Sequence, residues 1–213
     1  MRVAIFGVTG TVGSELLTQA LGAGHEVSVM ARTPSKLSGR SELLTVVTGN
    51  VRDRAAVGQT LTDCEAVLST LGATDKHDPD VRRTGTANII AGMHEHSIRR
   101  LVVMGGFHLS FPGDPHNVGQ RLIVPILHLS KHLIQDTTAM GELIKSSELD
   151  WTLVRTPRVT RSQAPGSPEV GTLKLGPWSS VTRATTASFM LACLNDSAYI
   201  RQAPMICDRG GRR

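Results

Sequence analysis

The densest chemical signal in the chain is Gly7-Val8-Thr9-Gly10-Thr11-Val12-Gly13, a G-x-x-G-x-x-G run. A short apolar segment, residues 2–6, precedes it, and Leu16, Leu17, Ala20 and Leu21 follow at helical spacing. Strand, glycine turn and helix in that order bring backbone N–H groups and the positive end of a helix to one point. That arrangement suits a pyrophosphate. Gly7, Thr9, Gly10, Thr11, Val12 and Gly13 are therefore the first candidate contacts to a dinucleotide, with Gly13 also permitting close packing of helix on strand.

The end of the second apolar segment selects the dinucleotide. It reads Met30-Ala31-Arg32-Thr33-Pro34-Ser35-Lys36, with no acid to accept from the ribose hydroxyls. Arg32 forks onto phosphate oxygens, and Lys36 adds a point charge. The expected cofactor is NADP(H) in preference to NAD(H).

Further along, His108, His132, Asp136, Arg155 and Arg158 are the polar groups expected near a substrate cleft. His132 and Asp136 stand four apart on one helix and share a face, so they form the candidate catalytic pair. The competing reading is a surface pair with no role. No His, Cys, Asp or Glu cluster has metal-ligand spacing, and no serine nucleophile elbow is present. Cys64, Cys193 and Cys207 are widely spaced and read as buried small hydrophobes in a reducing compartment.

The elements that must position these residues alternate. Strands are expected at residues 2–6, 26–31, 43–48, 65–71, 100–104 and 151–155. Helices fall at 11–23, 53–61, 80–96 and about 131–146. Such alternation means right-handed crossovers and an α/β fold: a Rossmann-like, doubly wound parallel sheet with helices on both faces and a small C-terminal cap. One domain over 1–213 is expected, with substrate-site loops at about 105–130 and 156–180. Residues 107–119 and 161–177, rich in Pro and Gly, read as loops beyond the carboxyl ends of late strands, where ligands bind in such sheets. The aliphatic run at 122–129 contains Pro125 and reads as a lid, a contact to a second subunit, or plain core.

Composition bounds the rest. The chain has 213 residues, 40% hydrophobic and 19% charged, which fits a globular protein, and only 3% aromatic, so its core is aliphatic. No apolar run approaches the ~20 residues of a membrane span. The apolar run after Met1-Arg2 is too short for a signal peptide, so a cytoplasmic location is expected. The net charge of +5 is partly a property of the last residues, where Arg209, Arg212 and Arg213 fall together. Without a basic stripe, nucleic acid is an unlikely partner. The expected partner is a small-molecule substrate, and the expected assembly a monomer or homodimer.

Several segments together resemble the NmrA-like group of atypical short-chain dehydrogenase/reductases, and within it the biliverdin reductase B (flavin reductase) pattern. The glycine loop matches. Residues 46–51, Val-Val-Thr-Gly-Asn-Val, resemble the group's segment beside the adenine, with Asn50 in place of the usual Asp. Residues 67–73 resemble the fourth-strand segment that ends beside the cofactor ribose, and residues 149–157 the strand whose Pro turn lies near the nicotinamide. The resemblance thus implies Asn50, Val51, Leu71, Gly72, Ala73, Met104, Gly105, Gly106, Pro157 and Arg158 as further cofactor contacts.

The departures bear on chemistry. The Tyr-x-x-x-Lys pair of ordinary short-chain dehydrogenases is missing, since the one tyrosine is Tyr199. Gly105-Gly106 stands where the biliverdin reductase B pattern has Thr-Ser, and Thr137 stands where relatives carry a Lys. Reduction of an isolated ketone needs a placed acid. A flavin, quinone or tetrapyrrole-like acceptor delocalises the added charge instead. The expected function is therefore NADPH-dependent hydride transfer to a conjugated acceptor. The alternatives are a non-catalytic NADP-sensing regulator, or an isomerase or dehydratase on the same scaffold.

Overall fold

A computed structural model describes residues 1–37, 41–72, 80–111, 114, 131–162, 166–176 and 178–209, the side chains of 131–133 excepted. Ala73, the run at 122–129, most of 107–119 and the His132 side chain lie outside the described residues.

The first strand explains the layering. In β1 (Arg2–Phe6) successive side chains point to opposite faces, yet Val3, Ala4, Ile5 and Phe6 are all buried. Both faces of the strand must be covered, and two apolar layers cover them. Val3 and Ile5 join one layer with Leu16 and Leu17 of α1 (Thr11–Gly22); Ala4 and Phe6 join the other with Val57, Ile89 and Met140.

The chain continues through β2 (Glu26–Ala31), β3 (Leu44–Thr48), α2 (Arg54–Leu61), β4 (Ala66–Ser69), α3 (Val81–Glu95), β5 (Arg100–Gly106), α4 (Lys131–Ser146) and β6 (Asp150–Thr156). Then come β7 (Arg158–Thr160), β8 (Pro168–Gly171), β9 (Ser180–Thr182), α5 (Arg183–Ala192) and β10 (Met205–Asp208). The main sheet has the order β3-β2-β1-β4-β5-β6-β10-β8, and every described pairing is parallel except β10 with β8. α1 packs on α5 over one face, while α2, α3 and α4 pack together over the other. Strand order reverses between β1 and β4, so a crevice opens beyond their carboxyl ends.

This is the Rossmann-like α/β fold, with two differences from expectation. The segment expected as a loop at 161–177 contains the edge strand β8, which holds four residues antiparallel to β10. The C-terminal segment adds β10 as a further parallel strand beside β6 rather than only capping the sheet. The cap itself is small, the two-stranded β7-β9 ribbon.

Two arginines tie the late strands together. Arg155, on β6, is 2% exposed, and its guanidinium donates to Ala203 O, Leu109 O and both oxygens of Asp114. Arg155 was expected near the substrate cleft, yet its bonds run to the β5 exit and the approach to β10. Arg100, at the start of β5, donates to Asp150 O, Thr152 Oγ1 and Cys193 O. The three cysteines are free and buried, and burial pushes the thiols of Cys64 and Cys193 up to about 11 and about 12, which makes both inert at neutral pH. No helix among the described residues is long and apolar enough to cross a membrane.

Candidate cofactor cleft and adjoining substrate cavity

The glycine turn is built for close backbone approach. Gly7 leaves β1 at φ +88°, where side chains are strained, and a Cβ there would meet the Thr70 carbonyl at 2.7 Å. A Cβ on Gly13 would lie 2.1 Å from Gly7 O, so α1 can start this close to β1 only with glycine. Thr70 Oγ1 donates to Phe6 O or Gly7 O (3.2 and 3.3 Å), which locks the turn to the end of β4. Gly10 is the N-cap of α1 and offers no side chain to the first-turn N–H groups. Those donors remain available to an anion, which a pyrophosphate fits.

A cavity of about 360 Å³ runs across this point. Gly7, Thr9, Gly10, Thr11, Val12, Gly13, Arg32, Asn50, Val51, Leu71, Gly72 and Met104, all expected from sequence, line it. Phe6, Met30, Ala31, Gly49, Thr70, Val81, Val159 and Arg161 line it too and are not among the contacts expected from sequence, although Met30, Ala31, Gly49 and Thr70 fall within the segments singled out there. Arg32 is exposed at the end of β2 and has no ion-pair partner among the described residues. Arg161 enters from beyond β7, and no carboxylate lines the cavity among the described residues. Lys36 lies elsewhere, in a neighbouring hollow with Ser14, Thr18 and Arg183; Thr9 belongs to both spaces.

Asn50 and Val51, in the wall of the same cavity, are held in place. Asn50 Oδ1 accepts from Arg52 N–H at 3.1 Å, and Asn88 Nδ2 donates to Val51 O at 2.9 Å. Gly85 gives Val51 and Leu71 room, since a Cβ there would meet both side chains at 2.8 Å.

A second cavity of about 400 Å³ adjoins the first and shares Leu71 and Met104 with it. Gly105, Gly106, Pro157 and Arg158 line it, together with Arg82, Phe107, His108, Thr137, Thr156, Gly176 and Ser179. Its described ionisable side chains are Arg82, Arg158 and His108, with no carboxylate among them. Burial pulls the His108 pKa below the ordinary value and the Arg82 charge adds to the effect. Burial likewise lowers that of Arg82, partly offset by Asp136.

Asp136 does not itself line this cavity. Its Oδ1 accepts from Arg83 N–H at 2.8 Å and its Oδ2 from Arg82 N–H at 3.2 Å, at the start of α3. The cap of α3, Asp80, makes no capping hydrogen bond and instead pairs with Arg52 and Arg83, so Asp136 satisfies first-turn donors from another helix. Oδ2 also lies 4.0 Å from Arg82 Nη1. Among the described residues no group of His, Cys, Asp and Glu could hold a metal ion.

A family model described as NAD(P)H-binding matches residues 7–197. Among curated proteins, a (4-alkanoyl-5-oxo-2,5-dihydrofuran-3-yl)methyl phosphate reductase of Streptomyces griseus is 28% identical over 176 residues, which cover 81% of this chain and 54% of that protein. The photosystem II assembly factor Ycf39 of Synechocystis is 32% identical over 106 residues, covering 48% of this chain and 32% of that protein. The chain thus spans about half, or less, of the length of these relatives. Among solved structures, a short-chain dehydrogenase/reductase from Veillonella parvula in complex with NADP superposes with a TM-score of 0.81 at 16% identity, covering 100% of this chain and 96% of the other. The anaerobilin reductase ChuY of Escherichia coli O157:H7 gives 0.79 at 16% identity, with 98% of each chain covered. At such identities these likenesses speak for the fold.

Proposed function

The chain belongs to the NAD(P)H-binding family, and from that premise we propose that it is an NADPH-dependent reductase of a conjugated small-molecule acceptor. The observation that carries this reading is the junction of two cavities at Leu71 and Met104: one fits a dinucleotide, and the other is a separate chamber large enough for an aromatic or heterocyclic ring.

Each end of the cleft has its task. The open N–H groups of α1 hold the pyrophosphate, Asn50 and Val51 flank the adenine, and Arg32 meets the ribose 2′-phosphate. Reduced nicotinamide, when bound, supplies hydride. Leu71, Met104 and Pro157 form the apolar wall that keeps water from the junction, while Gly105 and Gly106 leave room for a flat acceptor against β5. We assign Asp136 a positioning role: it holds the first turn of α3, and with it Arg82, at the cavity wall.

Three facts support a conjugated acceptor. Gly105-Gly106 supplies no hydroxyl, the tyrosine pair is missing from the sequence, and Tyr199 packs against Phe189 and lines neither cavity. The substrate named for the Streptomyces griseus relative carries an alkanoyl and an oxo group on a dihydrofuran ring, a compound of the same kind. The test is NADPH oxidation against menadione, riboflavin, biliverdin, an α,β-unsaturated lactone and cyclohexanone. Turnover of conjugated acceptors without cyclohexanone is the expected result. Tight NADPH binding with no turnover at all would instead support the regulatory reading.

A further inference from the structure

The second cavity contains an ionisable ring to which the reading above gives no task. His108 lies just past β5, and its imidazole fills the space a side chain on residue 106 would occupy. A Cβ on Gly106 would meet His108 Cε1 and Nδ1 at 2.5 Å. The glycine and the histidine are therefore one feature: a hydroxyl-bearing residue at 106 and this ring position exclude each other. The sequence loses a polar group at 106 and regains one, from two residues on, in the same wall.

Two further observations bear on what the ring does. Its Nε2 is buried with no hydrogen-bond partner among the described residues, a state that folded chains rarely leave uncompensated. Arg82, on α3, lines the same cavity and its charge acts on the ring. Among the described residues the other charged groups around the ring are Arg158 of β7, which lines the same cavity, and Glu142 and Lys145 of α4, which share a smaller hollow with His108. Burial and Arg82 both favour the uncharged imidazole, which carries one N–H and needs no proton from solvent to donate a hydrogen bond.

We propose that His108, backed by Arg82, is the catalytic group that holds the acceptor's oxygen, and that the acceptor is a conjugated carbonyl compound such as an enone or a quinone. This rests on the reductase reading. The acceptor carbon gains a hydrogen with its electron pair from the reduced dinucleotide, which is oxidised by two electrons. The displaced conjugated pair moves onto the acceptor oxygen. His108 donates its N–H to that oxygen and keeps the proton, Arg82 offsets the developing charge, and water supplies the proton that completes the reduced product.

The experiment uses the full chain with His108→Leu and His108→Gln, each checked by thermal unfolding and by its NADPH dissociation constant. Binding of 2-hydroxy-1,4-naphthoquinone, an anion at neutral pH with its charge on the conjugated oxygens, is followed by its visible absorbance in the presence of NADP⁺. Menadione turnover is measured in parallel. His108→Leu should bind the naphthoquinone about tenfold more weakly. It should lose on the order of a hundredfold in kcat/KM for menadione, while NADPH affinity stays within about twofold. His108→Gln, which retains an N–H donor, should recover most of both losses. Wild-type protein that fails to bind the naphthoquinone, or a His108→Leu variant that binds it as tightly as wild type, overturns the assignment. A wild type that binds the probe yet turns over no acceptor overturns the reductase reading alone, and the binding arm still decides His108.

Discussion

Arg32 and Arg161 are the cations of the cofactor cleft, and they face no described carboxylate there. An acid at the end of β2 would repel a 2′-phosphate; an arginine fork accepts it. Arg32→Ala should therefore cut the preference for NADPH over NADH by about ten- to a hundredfold, read from the two dissociation constants. Equal affinity of the unaltered protein for both dinucleotides would remove the NADP assignment. Lys36 illustrates what spacing alone does not fix: it stands four residues beyond Arg32, yet the short 3₁₀ turn at Pro34–Lys36 carries it into the hollow beside Ser14 and Arg183. Arg82 shows the opposite case. Nothing in the sequence singles it out, and the packing of α3 on α4 brings it to the cavity wall. Because its charge lowers the His108 pKa, Arg82→Met should raise the ring's midpoint in an NMR titration. An unchanged or lower midpoint would mean that burial alone sets it.

Among the elements, the first half of the sheet is legible because each strand is a run of small and branched apolar residues followed by a glycine, a cap or a turn. Asp53, for example, caps α2 through the backbone N–H groups of Ala55 and Ala56, as its position before a helical run implies. The last strands are not legible in this way. β8 is Pro-Glu-Val-Gly, a composition that reads as a turn, and it is a strand only because β10 pairs with it from almost forty positions on. The lining of the first cavity is largely readable, since the glycines of the turn are demanded locally. Asp136 was not, because a cap supplied across two helices leaves no mark on spacing. Asp136→Ala should lower stability by roughly 1–2 kcal/mol in denaturant unfolding, since it strands two part-buried first-turn donors. The Arg155–Asp114 pair gives a sharper contrast. Breaking it with Arg155→Met leaves a nearly buried carboxylate and should cost about 3–5 kcal/mol, whereas removing both charges by Arg155→Met with Asp114→Leu should cost far less. Similar losses in the single and double variants would mean that the bonds of Arg155 to Ala203 O and Leu109 O carry the stability instead.

For the molecule as a whole, the +5 charge resolves into local roles rather than one basic surface. Arg100 and Arg155 tie strands together, Arg52, Arg54, Arg83 and Arg99 pair with carboxylates, and Arg32, Arg161, Arg82 and Arg158 line the two cavities. The sheet's reversal between β1 and β4 opens the crevice, and the β7-β9 ribbon with the β5 exit encloses the adjoining chamber. In the proposed function the first cavity holds a dinucleotide by its pyrophosphate at the glycine turn and brings its reactive end to the Leu71–Met104 junction with the second. A crystal structure of the chain with NADP⁺ tests it most directly. Pyrophosphate oxygens are expected on the N–H groups of the first turn of α1, the 2′-phosphate against Arg32, and the nicotinamide ring at Leu71 and Met104, facing His108. A dinucleotide with its adenine in the His108 chamber, or bound away from the glycine turn, would contradict it.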